Sequence, residues 1–189
     1  MDERDGSEGW DDVLEDLARR RDTSRAMGGD ERLQKHRAAG KLDARARIAH
    51  LLDPGSFQEL GTLVGGEDAP ADAVVMGSGR IDGRPVMVAA EDFTVKAGTI
   101  SQAANAKRYR VAEIAATDRV PLIMMLEGAG FRAEGRGHAA PTPTDMLAQA
   151  RCSGRVPLVT AVLGASAGHG ALVAPISDFS VMSRYGSIF

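Results

Sequence analysis

The segment Pro121–His138, PLIMMLEGAGFRAEGRGH, is built to expose backbone N–H donors. Pro121–Leu126 are all apolar and predict a buried strand. Glu127 then opens a turn through Gly128, Ala129 and Gly130. The amides of such a turn, unshielded by large side chains, can hold an anion or a developing oxyanion. Arg132 and Arg136 follow. With Lys96 and Lys107 they are expected to be mainly solvated, a subset being able to meet phosphates.

A second turn of the same kind lies further on. Arg119-Val120-Pro121-Leu122 recurs 36 residues later as Arg155-Val156-Pro157-Leu158, and Gly128-Ala129 as Gly164-Ala165. Self-similarity at this period predicts stacked units of helix, buried strand and glycine turn. Gly164-Ala165-Ser166-Ala167-Gly168 also fits the nucleophile elbow G-x-S-x-G. An elbow needs an acid and then a histidine downstream. Asp178 could be the acid, but no histidine follows His169, which lies only three residues past the serine. A serine hydrolase using Ser166 is therefore the weaker alternative, and Ser166 reads as a small packing residue. His138 and His169 each follow a glycine turn. The ordinary reading of each is a loop histidine. If both turns face one cleft, either could transfer a proton or touch a ligand. Neither has metal-ligand spacing. Gly128–Ala133 formally fits G-x-G-x-x-A, but a dinucleotide site needs a helix opening in the turn. Ala133–Pro143 holds two more glycines and two prolines, so that reading is rejected.

The elements that must position these turns are legible in part. Trp10, Val13, Leu14 and Leu17 predict an amphipathic helix over about 8–21, followed by a mobile joint through Arg19–Arg25 and Met27–Asp30. A short helix is expected at Glu31–Ala39. Asp43 can cap a helix ending before Asp53-Pro54-Gly55. Ser56–Val64 reads as extended. Ala73–Gly79 and Arg84–Ala90 read as a hairpin across Ile81-Asp82-Gly83. Val86–Ala90 is apolar throughout, so it is expected to be covered on both faces. Lys96–Ser101 is a polar turn, with Ser101 or Thr99 capping a helix to about Thr117. Thr142 as cap, with Pro143 behind it, predicts a helix running to Gly154 and carrying Cys152 as a packed core thiol. A strand over 156–163, a helix over about 170–175 and a strand at Phe179–Met182 complete the reading.

Composition narrows the function class. The 189 residues are 43% hydrophobic and carry a net charge of −3, which argues against a general nucleic-acid binder. The lone Cys152 excludes an internal disulfide framework. No apolar run reaches the roughly 20 residues of a membrane helix, and the acidic N-terminus is no signal peptide, so a soluble, cytoplasmic α/β protein is expected.

Gly40–Leu60, GKLDARARIAHLLDPGSFQEL, then Gly77–Ser101, GSGRIDGRPVMVAAEDFTVKAGTIS, and then the two glycine turns resemble the β (carboxyltransferase) subunits of biotin-dependent acyl-CoA carboxylases, such as the propionyl-CoA carboxylase β subunits. The resemblance runs from about Glu31 to Phe189. It implies a crotonase-like α/β fold, a superhelix of ββα units. Residues 1–40 would be a charged helical extension, and 41–189 a partial acyl-CoA-binding domain, incomplete at the C-terminus. It implies transfer of a carboxyl group from carboxybiotin, borne by a partner carrier protein, to the α-carbon of an acyl-CoA. No cofactor would be covalently bound. The oxyanion donors would be the N–H groups of Ala129 and Gly130. Lys96, Ala97, Gly98, Phe131, Arg132, Gly168, His169 and Gly170 would line the substrate site. A biotin carboxylase or biotin carrier subunit and a homo- or hetero-oligomer are the implied partners, with no nucleic acid, membrane or metal. A degenerate, non-catalytic acyl-CoA-binding or assembly subunit is the alternative. Three positions depart from the family pattern. Ala129 stands where a glycine is expected, Phe131 where an alanine is, and His169 where another glycine is.

Overall fold

A computed structural model describes residues 8–132 and 143–189. Arg136, His138 and Thr142 lie outside the described residues. In chain order the elements are α1 (Glu8–Arg25), α2 (Asp30–Ala38), α3 (Ala44–Leu51), β1 (Gln58–Leu60), β2 (Val74–Ile81), β3 (Arg84–Glu91), a 3-10 turn (Lys96–Gly98) and α4 (Gln102–Asp118). They continue with β4 (Leu122–Gly128), α5 (Asp145–Ala150), β5 (Leu158–Ser166), α6 (Gly168–Ala171), α7 (Val173–Ile176), β6 (Phe179–Met182) and β7 (Ser187–Ile188). No helix among the described residues is long and apolar enough to cross a membrane.

The strands form one mixed sheet in the order β1-β2-β3-β4-β5-β6, with β7 added to the end of β5. β1, β2 and β3 are antiparallel; β3 through β6 run parallel. The hairpin turns on Asp82 (φ 50°) and Gly83 (φ 75°), the left-handed pair that suits a two-residue connection. Both turn amides donate to the Asp53 carboxylate, at 3.0 and 2.8 Å. The repeat in the sequence becomes the register of the central pair. Leu122 faces Leu158, Ile123 faces Val159, and the match continues to Leu126 and Val162. The two Val-Pro-Leu tripeptides therefore sit side by side, with Leu122 N–H donating to Pro157 O at 2.9 Å.

Alternating residues send the sheet's side chains into two cores. Val74, Met76, Met87, Ala89, Leu122, Met124 and Leu126 meet α4 through Ala104, Val111, Ala112 and Ala115. Val75, Val86, Val88, Ala90 and Met125 meet α3 through Ala44 and Ile48 on the opposite face. β3 is thus covered on both sides, as its unbroken apolar run predicts. Asp43 and Ser101 cap α3 and α4, each accepting a backbone N–H at 3.0 Å. Cys152 is fully buried, and burial pushes its thiol up.

Several expectations are corrected. α1 extends to Arg25, so Arg19–Arg25 is helical rather than a joint. Its apolar stripe does not pack on the described chain, Trp10 being 66% exposed. Only Gln58–Leu60 of the stretch 56–64 is strand. α5 starts at Asp145 with Thr144 in the cap position and ends at Ala150, short of Gly154. The helix expected at 170–175 is two short helices broken at Leu172. Lys107 is not solvated. It is 1% exposed and donates to Ala71 O at 2.8 Å and to Val74 O. Its flexible stem lets the ammonium reach two carbonyls from the apolar face of α4.

Burial lowers the Lys107 pKa to about 8. Its ordinary value in an unfolded chain is about 10.4. Between those limits the unfolded state binds a proton that the native state does not. Stability therefore rises with pH in that window, by up to about 1.4 kcal/mol per pH unit. Urea unfolding from pH 7.5 to 10.5 is expected to show this rise in the wild type and to lose it in Lys107→Met.

Candidate active site

Three loops meet at the carboxyl ends of β3, β4 and β5. The first, between β3 and α4, passes through Lys96, Ala97 and Gly98, all left-handed at φ 46°, 56° and 65°. The second is the turn Gly128–Arg132. The third is Ser166–Gly170. The first two are stitched together along the backbone. Ala129 N–H donates to Ala97 O at 3.0 Å, Ile100 N–H to Gly130 O at 2.8 Å, and Arg132 N–H to Ile100 O at 2.8 Å. The second joins the third through Ala167 N–H on Gly128 O at 2.9 Å. Glycine is required where they cross. A Cβ on Gly98 would overlap the Glu127 carbonyl, and one on Gly128 would overlap the Gly98 carbonyl. A register shift between Leu126 and Gly128 turns β4 into this layer, where Ile100 bridges Phe131 and Gly128 pairs with Ser166.

The expected donors part company here. Ala129 N–H is occupied by Ala97 O, and Ala129 is exposed. Gly130 is buried at φ 89°, and its N–H has no acceptor among the described residues. A Cβ built on Gly130 would stand 3.2 Å from Ala167 O and 3.9 Å from Gly168 Cα, so the two glycine turns abut. Phe131 and His169 rings meet edge to face, 6.4 Å between centroids. Gly168 is exposed, and its N–H donates to Phe189 O. Gly170 is buried behind the turn, against Glu91. Lys96 is exposed at the rim. Arg132 is drawn onto Asp72 at 2.9 Å and onto Thr99 Oγ1 and O at 2.9 and 3.0 Å, bonds that hold the turn in place. Its expected solvation is corrected by this clamp.

Beneath the turns lies a charge network that no motif announces. Arg108 is fully buried. It bonds Glu91 Oε1 at 2.6 Å, Asp145 Oδ2 at 2.5 Å and Gly170 O at 3.4 Å. Glu91 Oε2 accepts Glu127 N–H at 2.8 Å. Asp145 further accepts Gln149 Nε2 at 2.9 Å and meets His169 Nε2. Burial pushes Glu91 up despite Arg108. Burial also works on Asp145, but Arg108 and the His169 hydrogen bond outweigh it and hold that carboxyl low. On the far side of the strand end, Glu127 is fully buried with Lys41 at 2.6 Å and Arg47 in contact. One signal in the sequence could have found Arg108. It falls in the stripe Ala104, Arg108, Val111, Ala115 that α4 buries, so a core-facing arginine needed core-facing acids.

Ser166 has no nucleophile geometry. Its hydroxyl is buried without a hydrogen-bond partner, it lies within β5, and the His169 ring is held by Asp145. The hydrolase alternative is set aside on that ground.

Arg108→Met leaves Glu91 and Asp145 buried without their shared cation. The loss expected in urea titrations is about 3–5 kcal/mol. Arg110→Ala removes an exposed pair with Glu113 and is expected to change stability by less than about 1 kcal/mol.

Comparison with known proteins gives the family and the fold. The model of the carboxyl transferase domain matches residues 35–189. The chain is 34% identical over 186 residues to the methylmalonyl-CoA carboxyltransferase 12S subunit of Propionibacterium freudenreichii subsp. shermanii, across 93% of this chain and 36% of that protein. It is 36% identical to the human mitochondrial propionyl-CoA carboxylase beta chain, across 91% of this chain and 34% of that one. The crystal structure of the transcarboxylase 12S hexamer with methylmalonyl-coenzyme A bound superimposes with a TM-score of 0.80 at 33% identity, over 95% of this chain and 37% of that chain. A single-chain, multi-domain long-chain acyl-CoA carboxylase gives 0.78 at 31% identity, over 95% of this chain and 20% of that one. The chain therefore spans about a third of the length of the curated relatives it matches. Its glycine turns, its sheet and its length of matched sequence make it a member of the carboxyl transferase family, with the crotonase-like fold of those enzymes.

Proposed function

We propose that this chain carries the acyl-CoA side of a carboxyltransferase site in a biotin-dependent acyl-CoA carboxylase. The supporting observation is the buried Gly130 N–H, unpaired among the described residues, at the point where both glycine turns abut. A thioester carbonyl seated there gains a fixed donor as its oxygen becomes an enolate oxygen, and the surrounding backbone needs no reorganisation. Gly130 is the donor; Ala129 shapes the turn by bonding Ala97. Phe131, 61% exposed, and half-buried His169 flank the place the acyl group would take. Carboxybiotin on a partner carrier supplies the carboxyl group. The non-catalytic alternative, an acyl-CoA-binding or assembly subunit, has one observation in its favour, the occupied Ala129 N–H. Carboxylation of a bound acyl-CoA with a carboxylated biotin carrier decides between them.

Gly130→Val forces a β-branched residue into φ 89° and toward Ala167 O. Calorimetry with acetyl- and propionyl-CoA is expected to show saturable binding by the wild type. The variant is expected to bind at least about tenfold more weakly, or about 1.4 kcal/mol. No binding by folded wild type would overturn the proposal.

The outer strand also bears on assembly. Phe179, Val181 and Met182 of β6 are 61%, 44% and 53% exposed, and Ile188 and Phe189 are exposed in β7 and at the residue beyond it. A contiguous apolar edge of this kind is an association surface. Sedimentation is expected to show species larger than a monomer. A stable, monodisperse monomer would contradict this.

A further inference from the structure

The oxyanion chemistry does not use the Asp145–His169 pair. Asp145 is fully buried at the start of α5, anchored by Arg108 Nε at 2.5 Å, by Gln149 Nε2 at 2.9 Å and by its own N–H on Asn105 Oδ1 at 3.0 Å. It cannot turn away. His169 sits on the third loop with its side chain 25% exposed, and it presents Nε2 to Asp145 Oδ1. A carboxylate acceptor places the ring proton on Nε2. The other nitrogen, Nδ1, is then a lone-pair base with no hydrogen-bond partner among the described residues. The residue before His169 is Gly168, whose Cα faces Gly130, and the His169 ring touches the Phe131 ring. The acid-oriented imidazole therefore sits on the loop that abuts the turn bearing the Gly130 N–H.

We infer that His169 is a proton-transfer residue for the acyl-CoA α-carbon, with Asp145 as its positioning residue. The inference rests on the acyl-CoA reading above. The step is a simple acid–base exchange. The α C–H bond breaks, and its proton goes to Nδ1. The electron pair moves into the thioester, and the resulting enolate oxygen is held by Gly130 N–H. The imidazolium formed is stabilised by Asp145. With no carboxyl donor present, the same proton, or one from solvent after exchange, returns to carbon. The chain alone should therefore wash solvent deuterium into the α-position of a bound acyl-CoA.

The test is deuterium incorporation into acetyl- and propionyl-CoA in D2O, followed by mass spectrometry, using the full chain with no carrier. Calorimetric binding is measured in parallel. The wild type is expected to exchange well above buffer. His169→Gln is expected to stay folded and to bind acyl-CoA at a measurable affinity, while exchange at saturating acyl-CoA falls by about 10²–10⁴-fold. Exchange by His169→Ala should return in part on adding free imidazole, which a purely structural histidine would not permit. Binding without exchange by the wild type overturns this inference and leaves the acyl-CoA reading standing, as does wild-type exchange by a folded His169→Gln or His169→Ala. Absence of binding overturns both.

Discussion

One buried guanidinium holds the site together. Arg108 enters from the core face of α4 and reaches the carboxyl end of β3 through Glu91, the start of α5 through Asp145 and the third loop through the Gly170 carbonyl. A charge out of water must be paired, and a paired charge fixes the elements that bear its partners. Glu91 extends the chain of bonds to the Glu127 amide at the end of β4. The network therefore sets the distances among three loops that are far apart in sequence. Its direction is also functional. It ends on Asp145, whose remaining oxygen orients His169.

Backbone contact is the second constraint. The first loop and the first glycine turn touch without side chains between them, because Gly98 and Gly128 each face the other's carbonyl region. Gly164 has a similar part in β5, where a Cβ would strike the Glu127 side chain. Glu127 is itself clamped by Lys41 and Arg47 from the helical N-terminal part of the chain. The cluster of glycines thus has two causes. Some positions admit close packing, and Gly130 combines a left-handed backbone with a buried amide that is unpaired among the described residues.

These two constraints divide the work of the site. Packing of glycine against carbonyl aims the Gly130 N–H, a donor that needs no side chain. The ionic network fixes an imidazole, the base of the inference above. The transcarboxylase 12S subunit and the long-chain acyl-CoA carboxylase share the fold of this chain over 95% of its length.

Local chemistry made much of this protein readable from its residues. The unbroken run Val86–Ala90 signalled a strand covered on both faces, Asp82-Gly83 signalled the hairpin, and the repeat of Val-Pro-Leu foretold stacked strand units, which the fold sets side by side in parallel register. Caps at Asp43 and Ser101 were equally plain, since a cap is a contact of three residues. The glycine turns and the family pattern pointed to backbone donors near Gly130. What sequence could not supply were partnerships across long separations. Lys107 read as solvated, yet tertiary packing turned it inward, as it did Arg108, onto carbonyls and acids up to 62 residues away. It also used the Ala129 amide for loop contact, left Gly130's without an acceptor among the described residues, and set His169 against Asp145. A hydrogen bond is decided by distance and angle in space. Side-chain type names who is able to pair; only the folded backbone decides who meets.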